Sequence, residues 1–220
     1  KQEITQLEAT IHDLLQEAQT QGASAASAGL SVDTGLSVNV RLGEVETIEH
    51  HCSQGLGVTV YFGQQKGSAS STDLSANSIK ETVTAACNIA RYASEDPYAG
   101  LPDKDRLATD CKDLDLYHPW ELEAEQAIDL ALSCEQSARD YDAEISNSEG
   151  ASVDTFQGIH VFGNSIGFLQ GYASTRHSMS CSVLGERDGN MERDYWYSVA
   201  RDRNNLEDAA EIGTKAAERT

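Results

Sequence analysis

Three groups of side chains have the residue types for chemistry. His50-His51-Cys52 sets three metal-ligand types side by side. Adjacent residues of a strand point to opposite faces, so two of the three converge on one ion only across a bulge or a turn. No fourth ligand stands at a familiar zinc spacing, and a strand end with solvated histidines is the stronger reading. His177 and Cys181 are four apart, a separation that would face one zinc from a helix. The residues around them alternate as a strand does, which leaves the two side chains about 13 Å apart at roughly 3.3 Å per residue. One metal does not bridge that distance. Glu95, Asp96, Asp103, Asp105, Asp110, Asp113 and Asp115 crowd a third stretch. They lack the D-x-[DN]-x-[DN]-G order and closing Glu of a calcium loop, so the stretch reads as a solvated, charged connector.

No nucleophile or cofactor motif is complete. There is no G-x-S-x-G elbow and no Walker loop, and Gly55-Leu56-Gly57 has no third glycine and leads into a strand. Neither H-E-x-x-H nor H-E-x-x-x-H occurs; Glu49-His50-His51 runs in the wrong order, and His118-Pro119 is expected to open a helix rather than lie inside one. Residues alone therefore assign no catalytic group, no metal ligand and no cofactor to this chain. A last group stands out: Arg176, His177, Arg193, Asp194 and Tyr195, beside Tyr172, Trp196 and Tyr197, in a chain otherwise short of basic groups. Cross-strand pairing within a sheet, worth about 0.2–1 kcal/mol per pair, accounts for them most simply. The functional alternative is an inter-subunit surface, because Arg and aromatic residues are enriched in interface cores.

The elements that carry these residues follow from periodicity. Ile4, Leu7, Ile11, Leu14, Leu15 and Ala18 line one face of a helix expected over 2–27. From 30 to 73 the period falls to two, with Leu36, Val38, Val40 and Leu42, then Val58, Val60 and Phe62, punctuated by Gly43, Gly55 and Gly63 or Gly67. Three or four antiparallel strands are predicted there. Helical spacing returns at Ile79, Val83, Ala86, Ala90 and Ala93, with Ser78 and Glu81 in capping-box positions. Asp96-Pro97 stops that helix, and 97–118 reads as an irregular acidic connector. Pro119 suits a first helical position, and Trp120, Ala124, Ala127, Ile128, Ala131, Cys134, Ala138 and Tyr141 form the next stripe. Strand patterning resumes over 144–200, with turns expected at Glu149-Gly150, Gln157-Gly158, Asn164-Ser165 and Asp188-Gly189. A last helix is expected from about Asn205. The order helix, strands, helix thus occurs twice, a pseudo-duplication of pattern with sub-halves at 1–96 and 119–220. Blocks of strands set apart from helices give the class α+β, a mostly antiparallel sheet with long helices packed on it.

Composition bounds the partners. In 220 residues, 36 Asp and Glu face 16 Lys and Arg, a formal net charge of -20. Duplex nucleic acid and anionic membrane surfaces are excluded, because both recruit surplus cations. No apolar run approaches the roughly 18 residues of a membrane span. Five cysteines, an odd number with no C-x-x-C pair, and no N-x-S/T sequon suggest reduced thiols and a cytoplasmic location. The chain opens on Lys1 in an amphipathic helix and closes on Thr220 still in helical register, so it is expected to be a fragment of a longer protein.

One long stretch looks familiar. Val161-Phe162-Gly163-Asn164-Ser165, Gln170-Gly171-Tyr172, Ser174-Thr175-Arg176-His177-Ser178 and Met191-Glu192-Arg193-Asp194-Tyr195 follow one another between 158 and 201. Upstream stand Asn147-Ser148-Glu149-Gly150-Ala151-Ser152 and the run from Ala93 through Pro97, Tyr98 and Gly100 to Asp103. In this order the motifs resemble the PmbA/TldD family, on its PmbA (TldE)-like side, from about Gly29 onward. The resemblance implies an N-terminal α/β domain, here 1–220, of a chain whose β-rich C-terminal half is absent. It also implies a heterodimer with a TldD-like paralogue that carries the zinc on an H-E-x-x-x-H helix followed by a Cys. Such a complex acts in the cytoplasm as a metallopeptidase that matures microcin-type precursors and degrades unfolded or antitoxin-type proteins. No catalytic residue carries over to a position of this sequence. The expected role is a non-catalytic subunit portion that meets unfolded peptide only through the complex. The alternative is an independent acidic protein-binding or regulatory module with no proteolytic role.

Overall fold

The computed structural model describes residues 2–220. Alternating burial builds its sheet: Ala26, Ala28 and Leu30, then Leu36, Val38 and Val40, all point inward along one strand. The elements run α1 (Gln2–Thr20), β1 (Ala25–Arg41), β2 (Glu44–Phe62), β3 (Gln65–Ser71), α2 (Ala76–Tyr92), α3 (Ala124–Arg139), β4 (Ile145–Asn164), β5 (Leu169–Arg187), β6 (Asn190–Ala200) and α4 (Ala209–Arg219), with single 3₁₀ turns at Lys104–Arg106 and Arg203–Asn205. Six strands hydrogen-bond in the order β3-β2-β1-β4-β5-β6. β3 pairs antiparallel with β2, and β6 with β5, and the class is α+β as the patterning predicts.

Two compact units divide the chain. The first takes residues up to Asp33, Ser53–Leu114 and Gly158–Ala173; the second takes Thr34–Cys52, Asp115–Gln157 and Ser174–Thr220. In the first, α1 and α2 supply Leu7, Ile11, Leu14, Val83, Ala86 and Ala90 to a core shared with Leu30, Val58, Val60 and Val161. Gly67 lets β3 lie close against α2, since a Cβ there would stand 2.2 Å from the Ala86 carbonyl oxygen. In the second, Ala131, Cys134 and Ala138 of α3 and Ile212 and Ala216 of α4 pack on Val38, Val40, Val153, Cys181 and Val183. The helices there touch at Gly213, where a Cβ would stand 1.9 Å from the Cys134 carbonyl oxygen.

Several boundaries differ from the sequence reading. The first helix ends at Thr20, not 27, because Gly22 takes φ +91° and Ala25 already begins β1. Ser75, not Ser78, caps α2: its side chain accepts from the Ser78 N–H. Pro119 does not open α3, which starts at Ala124 behind a capping box of Glu123 and Gln126, so Trp120 lies before the helix and Tyr141 after it. Asn205 falls in a 3₁₀ turn, and α4 begins at Ala209 under an Asp208 cap. Of the four expected turns, Asn164-Ser165 and Asp188-Gly189 separate strands, whereas Glu149-Gly150 and Gln157-Gly158 lie inside β4. Gly150 there takes φ +109°, and a Cβ on it would stand 2.3 Å from the Val40 carbonyl oxygen, a close approach that the strand accommodates without ending.

Candidate functional site

On β5, inward positions carry Thr175, His177, Met179, Cys181 and Val183, and outward ones carry Arg176. His177 is 1% exposed. The Thr155 hydroxyl lies 2.8 Å from its Nδ1 and the His118 carbonyl oxygen 2.9 Å from its Nε2. That pair fixes the tautomer: Nε2–H donates to the carbonyl, and Nδ1 accepts from the hydroxyl. The Trp120 ring meets the imidazole edge-on at 5.5 Å between centroids, and Arg203 covers Trp120 at 5.6 Å. The segment before α3 is held down by the same strand. Thr175 donates its backbone N–H to the Leu116 carbonyl, accepts from the His118 N–H at its hydroxyl, and donates that hydroxyl to the Arg201 carbonyl. A cavity of about 220 Å³ remains beside this knot, lined by Thr34, Gly35, Leu36, His50, Trp120, Leu122, Thr155, Gln157 and His177.

Two further buried groups have structural partners. Cys181 sits against Cys134, and the thiol–thiol hydrogen bond, then burial, push its ionisation far above the ordinary thiol range. Both cysteines are free, and such a thiol is neither a ready metal ligand nor a nucleophile. Glu135 is 1% exposed and accepts from the backbone N–H groups of Leu42 (2.7 Å) and Gly43 (2.8 Å) at the β1–β2 turn. Leu42 and Gly43 take φ +53° and +80°, the left-handed pair that a two-residue hairpin turn requires.

The residues singled out by sequence separate into different surroundings. His50 lines the cavity, while His51 faces Phe156 (5.3 Å between rings) and Glu49 (3.6 Å), so the neighbours leave opposite faces of β2. His177 and Cys181 share a face of β5, each with the partners given above. Arg193 donates from Nη1 to both carboxylate oxygens of Glu149 at 3.0 Å, and Arg219 reaches Asp194 at 3.0 Å. The Arg193 hydrogen bond holds the Glu149 carboxyl below its usual range, and the Tyr195 backbone N–H, with Arg219 behind it, does the same for Asp194. Tyr195 and Tyr197 stack at 6.2 Å and are about half exposed (52% and 54%). Arg176 is exposed on the same outward side of the sheet. In the acidic connector Asp103 pairs with Arg106 at 3.6 Å, and Asp96 accepts from the Tyr98 N–H. Among the described residues no three His, Cys, Asp or Glu gather as metal ligands.

Sequence reasoning missed two features. The Thr155, Thr175 and Trp120 surroundings of His177 join three separate segments, and no local spacing signals them. In the first unit Asp33 and His160 approach at 3.7 Å beside the Tyr172 ring, which lies 5.2 Å from the imidazole. Gly158 makes the approach possible: a Cβ there would stand 2.0 Å from the Asp33 carboxylate. The glycine read as a turn residue was the available signal.

Helices packed on a six-stranded sheet, in two compact units, define an α+β chain whose class the family models then specify. Residues 26–90 match the model of the PmbA/TldA metallopeptidase domain 1, and residues 117–220 match the PmbA/TldA metallopeptidase central domain. The chain belongs to the PmbA/TldD family. It is 50% identical over 195 residues to Metalloprotease PmbA of Escherichia coli O157:H7, covering 89% of this chain and 43% of that one. A Metalloprotease PmbA homolog of Haemophilus influenzae is 43% identical over 203 residues, covering 92% and 45%. The chain therefore spans less than half the length of these relatives. Among solved structures, a candidate modulator of DNA gyrase from Bacteroides thetaiotaomicron superposes with TM-score 0.88 at 24% identity, over 96% of this chain and 48% of that one. TldE from Thermococcus kodakarensis superposes with TM-score 0.78 at 15% identity, over 95% and 46%. At such identities the structures speak for the fold alone. No described helix is long and apolar enough to cross a membrane.

Proposed function

We propose that this chain is the non-catalytic front portion of a subunit in a TldD/PmbA-type zinc metallopeptidase complex, which acts in the cytoplasm on unfolded peptides and peptide precursors of the microcin type. The observation that carries the reading is the pair of family domains, domain 1 and the central domain, on a chain less than half as long as its PmbA relatives. The fate of its own candidate ligands supports it. His177 is engaged at both nitrogens, Cys181 is a buried, un-ionised thiol, and His50 and His51 point apart. Hydrolysis of a peptide needs a metal-activated water or a poised nucleophile with a general base. In this reading a TldD-like paralogue supplies the zinc, and the present chain supplies contact surface.

The test is cleavage of an unstructured peptide by this chain, by the longer chain that contains it, by the paralogue, and by mixtures, each with and without chelator. Chelator-sensitive cleavage is expected only where the paralogue is present, and the longer chain should raise it. Cleavage by the purified chain alone, scaling with its concentration, overturns the reading. A paralogue fully active without its companion favours the independent acidic binding module instead.

A further inference from the structure

We propose that the outer edge of β2 between Glu44 and Cys52 is a strand-addition site for an extended basic peptide segment, with the Trp120 cavity receiving one of its side chains. β2 is 19 residues long, but β3 pairs only with Leu56–Phe62. Over its first half, β2 has β1 on one side and no described strand on the other. No described backbone hydrogen bond from a loop, turn or cap reaches 44–52 either. Every residue from Arg41 to His50 is exposed. Alternate N–H and C=O groups on that edge are therefore left to water, as on any free antiparallel edge.

Proteins protect such edges with proline, bulges or charge. Here the protection is charge of one sign. Glu44, Glu46 and Glu49 stand on the edge, and no Lys or Arg occurs between Leu42 and Gln65. Two copies meeting along it would set carboxylate against carboxylate, which disfavours self-pairing. An incoming strand with Lys or Arg at alternate positions meets the opposite sign, so the same groups that exclude a second copy select a basic partner. Val45 and Ile48, 43% and 45% exposed, lie on the two faces of the strand and offer apolar contact on each.

The cavity supplies a second recognition element. Its volume of about 220 Å³ lies below the roughly 300–1,000 Å³ of a small-molecule site and suits a single side chain. His50, on the edge strand itself, forms one wall, with Gly35, Leu36, Trp120, Leu122 and Gln157 behind it. Glu46, Ile48 and His50 share one face of β2 by alternation. A strand added to this edge gains main-chain hydrogen bonds for affinity and a pocket for one alternate side chain, the division of labour found in β-augmentation.

This site deepens the peptide-handling reading, and it rests on that reading only for its biological role. The probe is a blocked, labelled peptide of about eight residues, long enough to span the edge, alternating lysine with valine. Two forms of it carry N-methyl groups on the odd or on the even amides, and a control replaces lysine by glutamate. Titration calorimetry and hydrogen exchange on the 220-residue chain are expected to show binding of the lysine peptide and protection of amides within 44–52. Binding should be about tenfold weaker or worse for the glutamate peptide, for one of the two N-methylated forms, and for the Glu46→Lys/Glu49→Lys chain with its melting temperature unchanged. No binding, equal binding of both N-methylated forms, or protection located elsewhere overturns the proposal. No cleavage is measured, so failure here is distinct from failure of the complex.

Discussion

His177 concentrates the physical lesson of the site. A buried imidazole with both nitrogens occupied locks Thr155 on β4 and the His118 carbonyl to β5. His177→Ala would leave a hydroxyl and a carbonyl without partners and a hole beneath Trp120, so a loss of about 2–4 kcal/mol is expected in urea unfolding, from an unsatisfied pair plus a cavity. A loss below about 0.5 kcal/mol would mean that water replaces the ring without cost. Glu135 poses the same problem with a carboxyl group. Glu135→Ala removes the acceptor for two turn N–H groups, and about 1–3 kcal/mol is expected, with hydrogen exchange at Leu42 and Gly43 accelerating before the rest of the sheet. Glu207 carries the acid dependence that can be assigned to one pair. Lys215, at 2.5 Å, holds its carboxyl below the usual range, and Glu207 in turn raises the Lys215 ammonium. A carboxyl lowered by folding stabilises fully above its unfolded pKa, and that stabilisation is lost as pH falls through its folded one. Glu207→Gln should therefore be less stable than the parent at pH 7, with the difference closing as pH falls below the ordinary glutamate range. Urea midpoints measured across that range test this, and a difference that persists in acid would assign the effect to the Trp196 hydrogen bond instead.

At the scale of elements, glycine marks where helices and strands come closest. Gly213→Ala in α4 gains about 1 kcal/mol of helix propensity. It also drives a Cβ to within 1.9 Å of the Cys134 carbonyl oxygen on α3, and overpacking of that kind costs about 1–3 kcal/mol or more. Net destabilisation is expected, with Gly67→Ala behaving alike at the β3–α2 contact. A variant more stable than the parent would show that α4 shifts freely. Much of this level was legible in advance. The 3.6 and 2.0 periods placed four helices and the strand blocks, because each buries a single stripe or face. What failed were the ends. Pro119 suits a helix start, but the segment before α3 is held extended by Thr175, a contact no local pattern reports. Gly150 and Gly158 look like turns; one accommodates a close carbonyl and the other a carboxylate, both within an unbroken strand. The site was the least legible part. Adjacent histidines drew attention by type, yet the group that organises the second unit is a lone histidine whose partners come from Thr155 and His118.

For the whole molecule, charge is the property that no local contact cancels. Each of the 16 Lys and Arg residues can neutralise one acid, which leaves 20 of the 36 carboxylates in excess. Two salt effects then oppose each other. Exposed pairs such as Arg193 with Glu149 and Arg219 with Asp194 weaken as salt rises, but each contributes little when solvated. Repulsion among the surplus carboxylates also weakens, and it acts between all of them at distances that the roughly 30 Å Debye length at 0.01 M does not screen and the roughly 10 Å length at 0.1 M does. Compaction brings like charges closer than the unfolded chain does, so the repulsive part should dominate the balance. The melting temperature at neutral pH is accordingly expected to rise by a few degrees between about 0.01 and 0.15 M sodium chloride, while binding of a basic peptide at the β2 edge weakens over the same range. Calorimetric scans at several salt concentrations, with chloride compared against another monovalent anion to separate screening from specific binding, would check the first part. A melting temperature that falls with salt would mean that the ion pairs, not the surplus, set the electrostatic stability of the fold.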